Sequence, residues 1–396
     1  MSLPPTSSRL LSIDAYRALV MLLMIFVNDT WTLIGIPNWI DHLPAEADGL
    51  GLADVVFPAF LFIVGLSVPL AIQSRLKKGD SRWRITGHVA VRSLALIVMG
   101  VFHVNLDSYA DTAWLPKWVW QIAITVGFFL VWMDYRAPRS AKATVLKSIG
   151  ITGLVVLALL FQADGGDPGS WLAMRPHWWG ILGLIGWCYL LVSLLFLWTR
   201  GNPWAQVGVF TAFILFNMGA QSSVFDGLEP VRTWVWIAGD GALPALTACG
   251  VLVSLLYRRY NAQLPAFLWR ATVLAAALLA LGFLARLEWN ISKIWATPSF
   301  ALVCAGISVA AFALLVYIVD IKRWSGWYRF ISPAGTSTLT CYLLPYIHYA
   351  VLAYIGWQLP AVLRTGTVGI AKSLLYALVI IAITGILEKR RIRLKL

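Results

Sequence analysis

The stretch from Asp41 to Pro69, DHLPAEADGLGLADVVFPAFLFIVGLSVP, decides the architecture. From Leu52 onward the chain turns apolar for about 20 residues, the length that carries a helix across a bilayer core. Asp54 stands at the entry to that run, and Asp41, His42, Glu46 and Asp48 lie just ahead of it. Ionisable groups at the lip of a membrane helix are costly, so Asp54 needs a partner or a polar cavity. Gly51, Gly65, Pro58 and Pro69 predict a kinked, closely packed helix.

The rest of the sequence agrees with a membrane setting. Of 396 residues, 60% are hydrophobic and 12% charged, and the mean hydropathy is +0.77. No water-soluble surface can be made from such a chain, so the fold class is an all-α, polytopic transmembrane helical bundle. The 21 Trp and 13 Tyr concentrate near the ends of apolar runs, as interfacial belts do. The formal charge of +13 sits in short clusters between spans, where anionic lipid and membrane orientation account for it and nucleic acid does not. Cys188, Cys249, Cys304 and Cys341 each lie inside an apolar run and read as small core residues, neither disulfides nor metal ligands. No metal site is expected. The opening MSLPPTSSR is short and polar, and no small-residue cleavage site follows the first apolar run, so that run reads as an uncleaved span.

A window of about 20 residues yields about twelve spans, with ten or eleven the lower count. They fall near 13–35, 52–73, 86–104, 117–134, 146–162, 178–198, 206–220, 240–257, 266–285, 299–319, 334–355 and 370–387. Lys and Arg alternate between the connections. One set (Arg9, 74–84, 135–147, Arg200, Arg258 and Arg259, 320–330 and the EKRRIRLKL tail) holds 21, and the other holds seven. The positive-inside rule then places both termini in the cytoplasm and His42 outside, among connections that carry 12 of the 18 acidic residues. No long soluble domain, repeat or low-complexity segment interrupts residues 1–396, which form one domain. That compactness points, by analogy, to a bacterial inner membrane.

Several residues are candidates for chemistry. In SIDAYRALVMLLMIFVND, Asp14 and Arg17 lie one helical turn apart at the cytoplasmic edge, with Ser12 as the expected N-cap. Asn28 and Asp29 close the same span. An imidazole titrates near neutrality, so His42 is suited to take a proton from an amine or hydroxyl. NISKIWATPSF at 290–300 brings Lys293 and Trp295 to a helix start, and PAGTSTLTCYLLPYIHY at 333–349 packs Thr336, Ser337, Thr338 and Thr340 for close helix contact. His88, His103, His177 and His348 have no metal-ligand spacing and read as structural.

SIDAYRALVMLLMIFVN, a following His, and GLADVVFPAFLFIVGLSV together resemble the transmembrane acyltransferases related to heparan-alpha-glucosaminide N-acetyltransferase. Their hallmark is an S-[IL]-D-x-[FY]-R-G helix with a downstream Asn, a luminal His, and then ADLVFPxFLFIxGxS. KIWATPSF resembles a KxLWTPSF motif, and the late small-residue helix with Gly335, Ser337 and Tyr342 also matches. The best matched portions cover about a third of the chain. The resemblance puts the active-site His on His42, the motif Asp on Asp54 and the Asn on Asn28, while Asp14 and Arg17 match the first motif and Ala18 replaces its Gly.

Two departures stand out. The GVLQRIALxYL helix of the family is approached by GILGLIGWCYL, with Gly183 and Leu184 in place of Gln and Arg, or by the VWQIAI stretch, which keeps Gln121 alone. The spacing also suggests about two spans beyond the usual ten, and so a different acceptor.

The resemblance implies transfer of an acetyl group from cytoplasmic acetyl-CoA to an amino sugar of the glucosamine type across the bilayer, by a protein that resembles dimeric membrane enzymes. A cytoplasmic mouth of Arg17 with Asp14, Arg75, Lys77, Lys78 and Arg92 would meet the CoA phosphates, and a tunnel would end at His42. His42 would serve as general base, Asp54 would orient it and Asn28 would stabilise the oxyanion; transient acetylation of His42 is the competing route. A proton-coupled carrier of sugars or peptides is the alternative, favoured by twelve spans and a broken-looking second helix with an intramembrane carboxylate. A non-catalytic flippase or lipid scaffold is a third reading.

Overall fold

The computed structural model describes residues 11–164, 173–225, 227 and 229–396. The helices in chain order are α1 (Leu11–Asp29), α2 (Leu52–Lys77), α3 (Arg82–Val104), α4 (Lys117–Trp132), α5 (Ala141–Leu159), α6 (Ile181–Trp198), α7 (Pro203–Gln221), α8 (Glu229–Arg232), α9 (Ala242–Arg259), α10 (Leu264–Ala285), α11 (Pro298–Leu315), α12 (Ser332–Thr336), α13 (Thr338–Ile355) and α14 (Gly366–Lys389). Among the described residues, extended pairing is limited to isolated bridges such as Ile34 with Thr365.

Local chemistry sets many of these boundaries. Ser81 accepts from the Arg84 N–H at the start of α3, and Ser140 accepts from Ala143 at the start of α5. Asn202 and Thr297 cap α7 and α11, each followed by a proline at the first helical position, where no N–H is needed.

The all-helical membrane architecture is borne out. Among the described residues, nine helices are long and apolar enough to cross a bilayer, and α4 is a shorter apolar helix. The helices α7 and α9 stand at two further expected positions but are interrupted by polar groups, Gln206 and Asn217 in one and Thr247, Ser254, Arg258 and Arg259 in the other. All four cysteines are buried and free, as core residues should be.

The interior is formed by α2, which packs on α1, α6, α9 and α11. Gly65 and Gly250 let α2 and α9 touch backbone to backbone, because a Cβ on Gly65 would overlap the Thr247 carbonyl and one on Gly250 the Phe62 carbonyl. This is small-residue helix contact of the kind membranes favour. By contrast α5, α10 and α14 expose apolar stripes, among them Val155, Leu281 and Ile386, as lipid-facing helices do.

Four expectations need correction. The first span ends at Asp29 and continues only as a 3₁₀ turn over Thr30–Thr32. Ser12 lies buried within α1 and is not its N-cap. The helix expected over 334–355 is interrupted at Ser337, which separates α12 from α13. The second helix is continuous for 26 residues despite Pro58 and Pro69, so the broken helix that favoured a carrier is not there. MSLPPTSSR, with the Arg9 counted for orientation, lies outside the described residues.

The connections sort to two ends. At one, Arg393 of the C-terminal segment bonds Asp134 and Glu388 at 3.0 Å, and Thr336 donates to Glu388. At the other, the Leu33–Gly51 connection meets the segment before α11, where Arg286 bonds Asp48 at 2.8 Å and Gly49 N–H donates to the Ile291 carbonyl.

Candidate active site

Asp54 is the third residue of α2, and its carboxylate reaches back to the Gly51 N–H at 3.0 Å, a capping-box arm that satisfies one free donor of the helix start. The same oxygen accepts from Leu43 N–H at 3.2 Å. Its other oxygen lies 2.7 Å from His42 Nδ1. Helix capping and imidazole orientation therefore share one side chain. Gly51 is required here, because a Cβ would overlap the Asp41 carbonyl and displace the turn that carries His42. Asp54 is almost wholly buried and the His42 side chain is 48% exposed.

A third group completes the cluster. Lys293 Nζ lies 3.0 Å from His42 Nδ1, 3.5 Å from Nε2 and 3.7 Å from Asp54 Oδ1. Nδ1 cannot donate to Asp54 and accept from Lys293 at once. The shorter contact to a carboxylate, which can only accept, assigns the Nδ1–H tautomer and leaves Nε2 as the basic nitrogen. Burial pulls the Lys293 ammonium below its ordinary range, and the nearby Asp54 charge restores part of that loss. Lys293 is positioned by its own segment: Ser292 donates to the Ala45 carbonyl, and Asp48 accepts from Ile291 N–H at 2.8 Å. That Ile291 bond, with Arg286 beside it, holds the Asp48 carboxyl below the usual carboxylate range.

Asn28 is elsewhere. It lines a chamber of about 820 Å³ between α1, α3, α4, α6 and α13, with Trp31, Trp118, Trp179, Gln121 and Tyr346, named the outer chamber for the side that the Lys and Arg division predicts for this end. An inner cavity of about 390 Å³ lies towards the opposite end, lined by Arg17, Ser67, Arg92, Tyr189, Thr336 and Leu396. The two meet at Ile181, Leu182 and Tyr342, which line both. Neither His42 nor Asp54 belongs to either lining among the described residues. The reason is position along α2: its residues that line the inner cavity run from Phe60 to Ala71, so Asp54 stands about 9 Å beyond the nearest of them, and among the described residues the outer chamber takes none from α2. The expected tunnel ending at His42 is thus a pair of adjoining cavities with the His42–Asp54 pair outside both linings.

Of the residues assigned to the CoA mouth, Arg17 and Arg92 line the inner cavity. Arg17 donates to Ser67 at 2.9 Å and pairs with Asp14 at 3.4 Å, and Arg92 lies over the Tyr189 ring at 5.0 Å. Arg75 is instead bonded to Asp80 at 3.1 Å, and Lys77 and Lys78 are exposed at the end of α2, outside that lining.

Other contacts escaped the sequence. Asp29 is buried and accepts from Tyr349, Lys372 and Ser373, each at 2.6 Å, tying α1 to α13 and α14. The signal was Lys372, a cation inside the last apolar run. His103, read as structural, stacks on Tyr346 at 4.1 Å in the chamber wall. Gln121, the remnant of the departed motif, donates to the Tyr346 carbonyl and lines the same chamber.

Comparison with known proteins places these elements. The human heparan-alpha-glucosaminide N-acetyltransferase is 40% identical over 208 residues, which cover 50% of this chain and 26% of that protein. The mouse protein of the same name is 37% identical over 156 residues, 39% of this chain and 20% of its own length. The matched region thus spans about a quarter or less of those relatives, and the likeness supports a related acyltransferase family. Residues 9–227, more than half of the chain and including α1, the His42–Asp54 pair and the cavity-lining faces of α2, α3 and α6, match the family model "Domain of unknown function (DUF5009)", and the chain belongs to that family.

Proposed function

We propose that this protein is a membrane-bound N-acetyltransferase that moves an acetyl group from acetyl-CoA on the cytoplasmic side to an amino sugar of the glucosamine type on the outer side of a bacterial inner membrane. The observation that carries the reading is the 2.7 Å His42–Asp54 contact at one end of a bundle whose inner cavity presents Arg17 and Arg92 at the other. The twelve-span topology with both termini cytoplasmic belongs to the same reading, and the 21-to-seven division of Lys and Arg between alternate connections supports it.

The two guanidiniums suit the phosphates of CoA, which cannot enter the apolar interior, and the narrower pantetheine arm is the part to extend past Tyr342. Asp54 holds the imidazole with Nδ1–H inward, so Nε2 is the nitrogen that takes the proton of the acceptor ammonium. The freed amine then attacks the thioester carbonyl, the C–N bond forms and the C–S bond breaks, and the second amine proton passes to the departing sulfur, so CoA leaves as the thiol while Nε2 keeps the first proton. Asn28 is the proposed donor to the developing oxyanion. Because His42 lies outside the chamber lining, the reading requires the Leu33–Gly51 connection and the first turn of α2, with Asp54 still on the imidazole, to move together towards Asn28 when donor and acceptor are bound.

Purified protein incubated with labelled acetyl-CoA and a panel of amino sugars tests this. CoA release is expected only when an amine acceptor is present, and release indifferent to the acceptor would refute it. Arg17→Ala is expected to weaken acetyl-CoA binding about tenfold or more, the scale of a charge-assisted contact to phosphate. Titration in detergent measures it, and an unchanged dissociation constant would remove Arg17 from the donor site.

A further inference from the structure

The outer chamber holds two opposite charges that are not used on each other. Asp107, just past the end of α3, is exposed, and among the described residues its carboxylate accepts one long bond, from Trp179 Nε1 at 3.5 Å, which leaves most of its acceptor capacity open. Lys117, the first residue of α4, is exposed, and no ion pair engages it among the described residues. Both line the chamber, and no ion pair joins them. Arg175 and His177 flank the same rim, with the His177 ring stacked on Trp179 at 4.5 Å, but neither belongs to the lining.

Between those charges the walls are aromatic, with Trp118 and Trp179 near the rim and Tyr346 and Tyr349 deeper, interrupted by the amide side chains of Asn28 and Gln121. Flat aromatic faces beside hydrogen-bonding groups suit a pyranose, whose C–H faces are apolar and whose edge is a ring of hydroxyls. An acyl chain would strand both charges, and a free phosphate would leave the aromatic walls and Asp107 without a role.

We propose that the outer chamber binds a hexosamine carrying an anionic substituent, its ring against the tryptophans, its ammonium on Asp107 and its anionic group on Lys117. This deepens the acetyltransferase reading by naming the class of acceptor, and it rests on that reading only for the fate of the bound sugar. Asp107 sets the preference for a free amine over an acetamide, so the product, which has lost that charge, is released.

Tryptophan fluorescence of the purified full chain, without acetyl-CoA, tests the assignment with four probes: D-glucosamine 6-phosphate, D-glucosamine, N-acetyl-D-glucosamine 6-phosphate and D-glucose 6-phosphate. The first is expected to bind about tenfold or more tightly than each of the others, since each lacks one charge-assisted contact. Asp107→Asn is expected to erase the preference for the amine and Asp107→Glu to restore it, while Lys117→Met erases the preference for the phosphate. Equal binding of the four probes, no binding of any, or wild-type preferences in both Asp107→Asn and Lys117→Met would overturn the proposal. A chain that shows the expected preferences yet transfers no acetyl group would support the chamber assignment and overturn the acetyltransferase reading alone.

Discussion

His42→Ala is expected to abolish acetyl transfer while the protein stays folded. The side chain is half exposed and contributes little buried area, so its removal opens no cavity in the bundle. Asp54 keeps its bonds from Leu43 and Gly51 and its contact with Lys293, which hold the α2 start without the imidazole. Loss of a positioned base costs about 10²–10⁴ in rate, and more if the imidazole is itself transiently acetylated. Turnover compared with the wild type, alongside an unchanged elution profile in detergent, measures this. A variant that retains near wild-type turnover would remove His42 from the chemistry.

Asp54→Asn is expected to have the second largest effect, for a different reason. The amide oxygen can still accept from Gly51 or Leu43, so the helix cap survives in part. Its NH₂ cannot accept the Nδ1 proton, and the imidazole is driven to the opposite tautomer, with Nε2 carrying the hydrogen it should receive. A drop of about two to four orders of magnitude in turnover follows, with acetyl-CoA affinity unchanged because the inner cavity does not include residue 54. Asp54→Ala should also lower stability, by about 3–5 kcal/mol, since it leaves Lys293 as a largely buried cation and frees two N–H groups. Equal turnover in Asp54→Asn and the wild type would show that the carboxylate is only a helix cap.

Much of this site was legible in the sequence, and the parts that were not share a cause. The run from Leu52 announced a membrane helix through composition alone, and Asp54 announced a partner because a carboxylate at that depth needs one. The partner is His42, twelve residues back on the connection into that helix, and it was the resemblance to the acyltransferases, not spacing, that named the two together. Lys293 comes from 251 residues later, and its reading as an interfacial helix start was correct as far as local sequence went. Only the bond of Ser292 to Ala45 and the clasp of Asp48 on Ile291 bring that segment over His42. Asp29 is the same case, with its partners on the last two long helices.

The separation of Asp54 from the inner cavity was not readable, because which stretch of α2 lines a cavity emerges only once α1, α3, α6 and α13 are assembled around it. The same assembly divides the basic residues. Arg17 and Arg92 project into the inner cavity, while Arg75 is drawn to Asp80 a few residues on. Net charge along the chain cannot tell an arginine that lines a cavity from one that does not.

The central claim is that an acetyl group passes from a thioester on one face of the membrane to an amine on the other. Vesicles reconstituted with the protein, with labelled acetyl-CoA outside and D-glucosamine 6-phosphate sealed within, test it most directly. The account predicts labelled N-acetylated sugar inside the vesicles that carry the chain with its cytoplasmic ends outward, CoA released outside, and none of either with His42→Ala. Product that forms only when donor and acceptor share one compartment would contradict it.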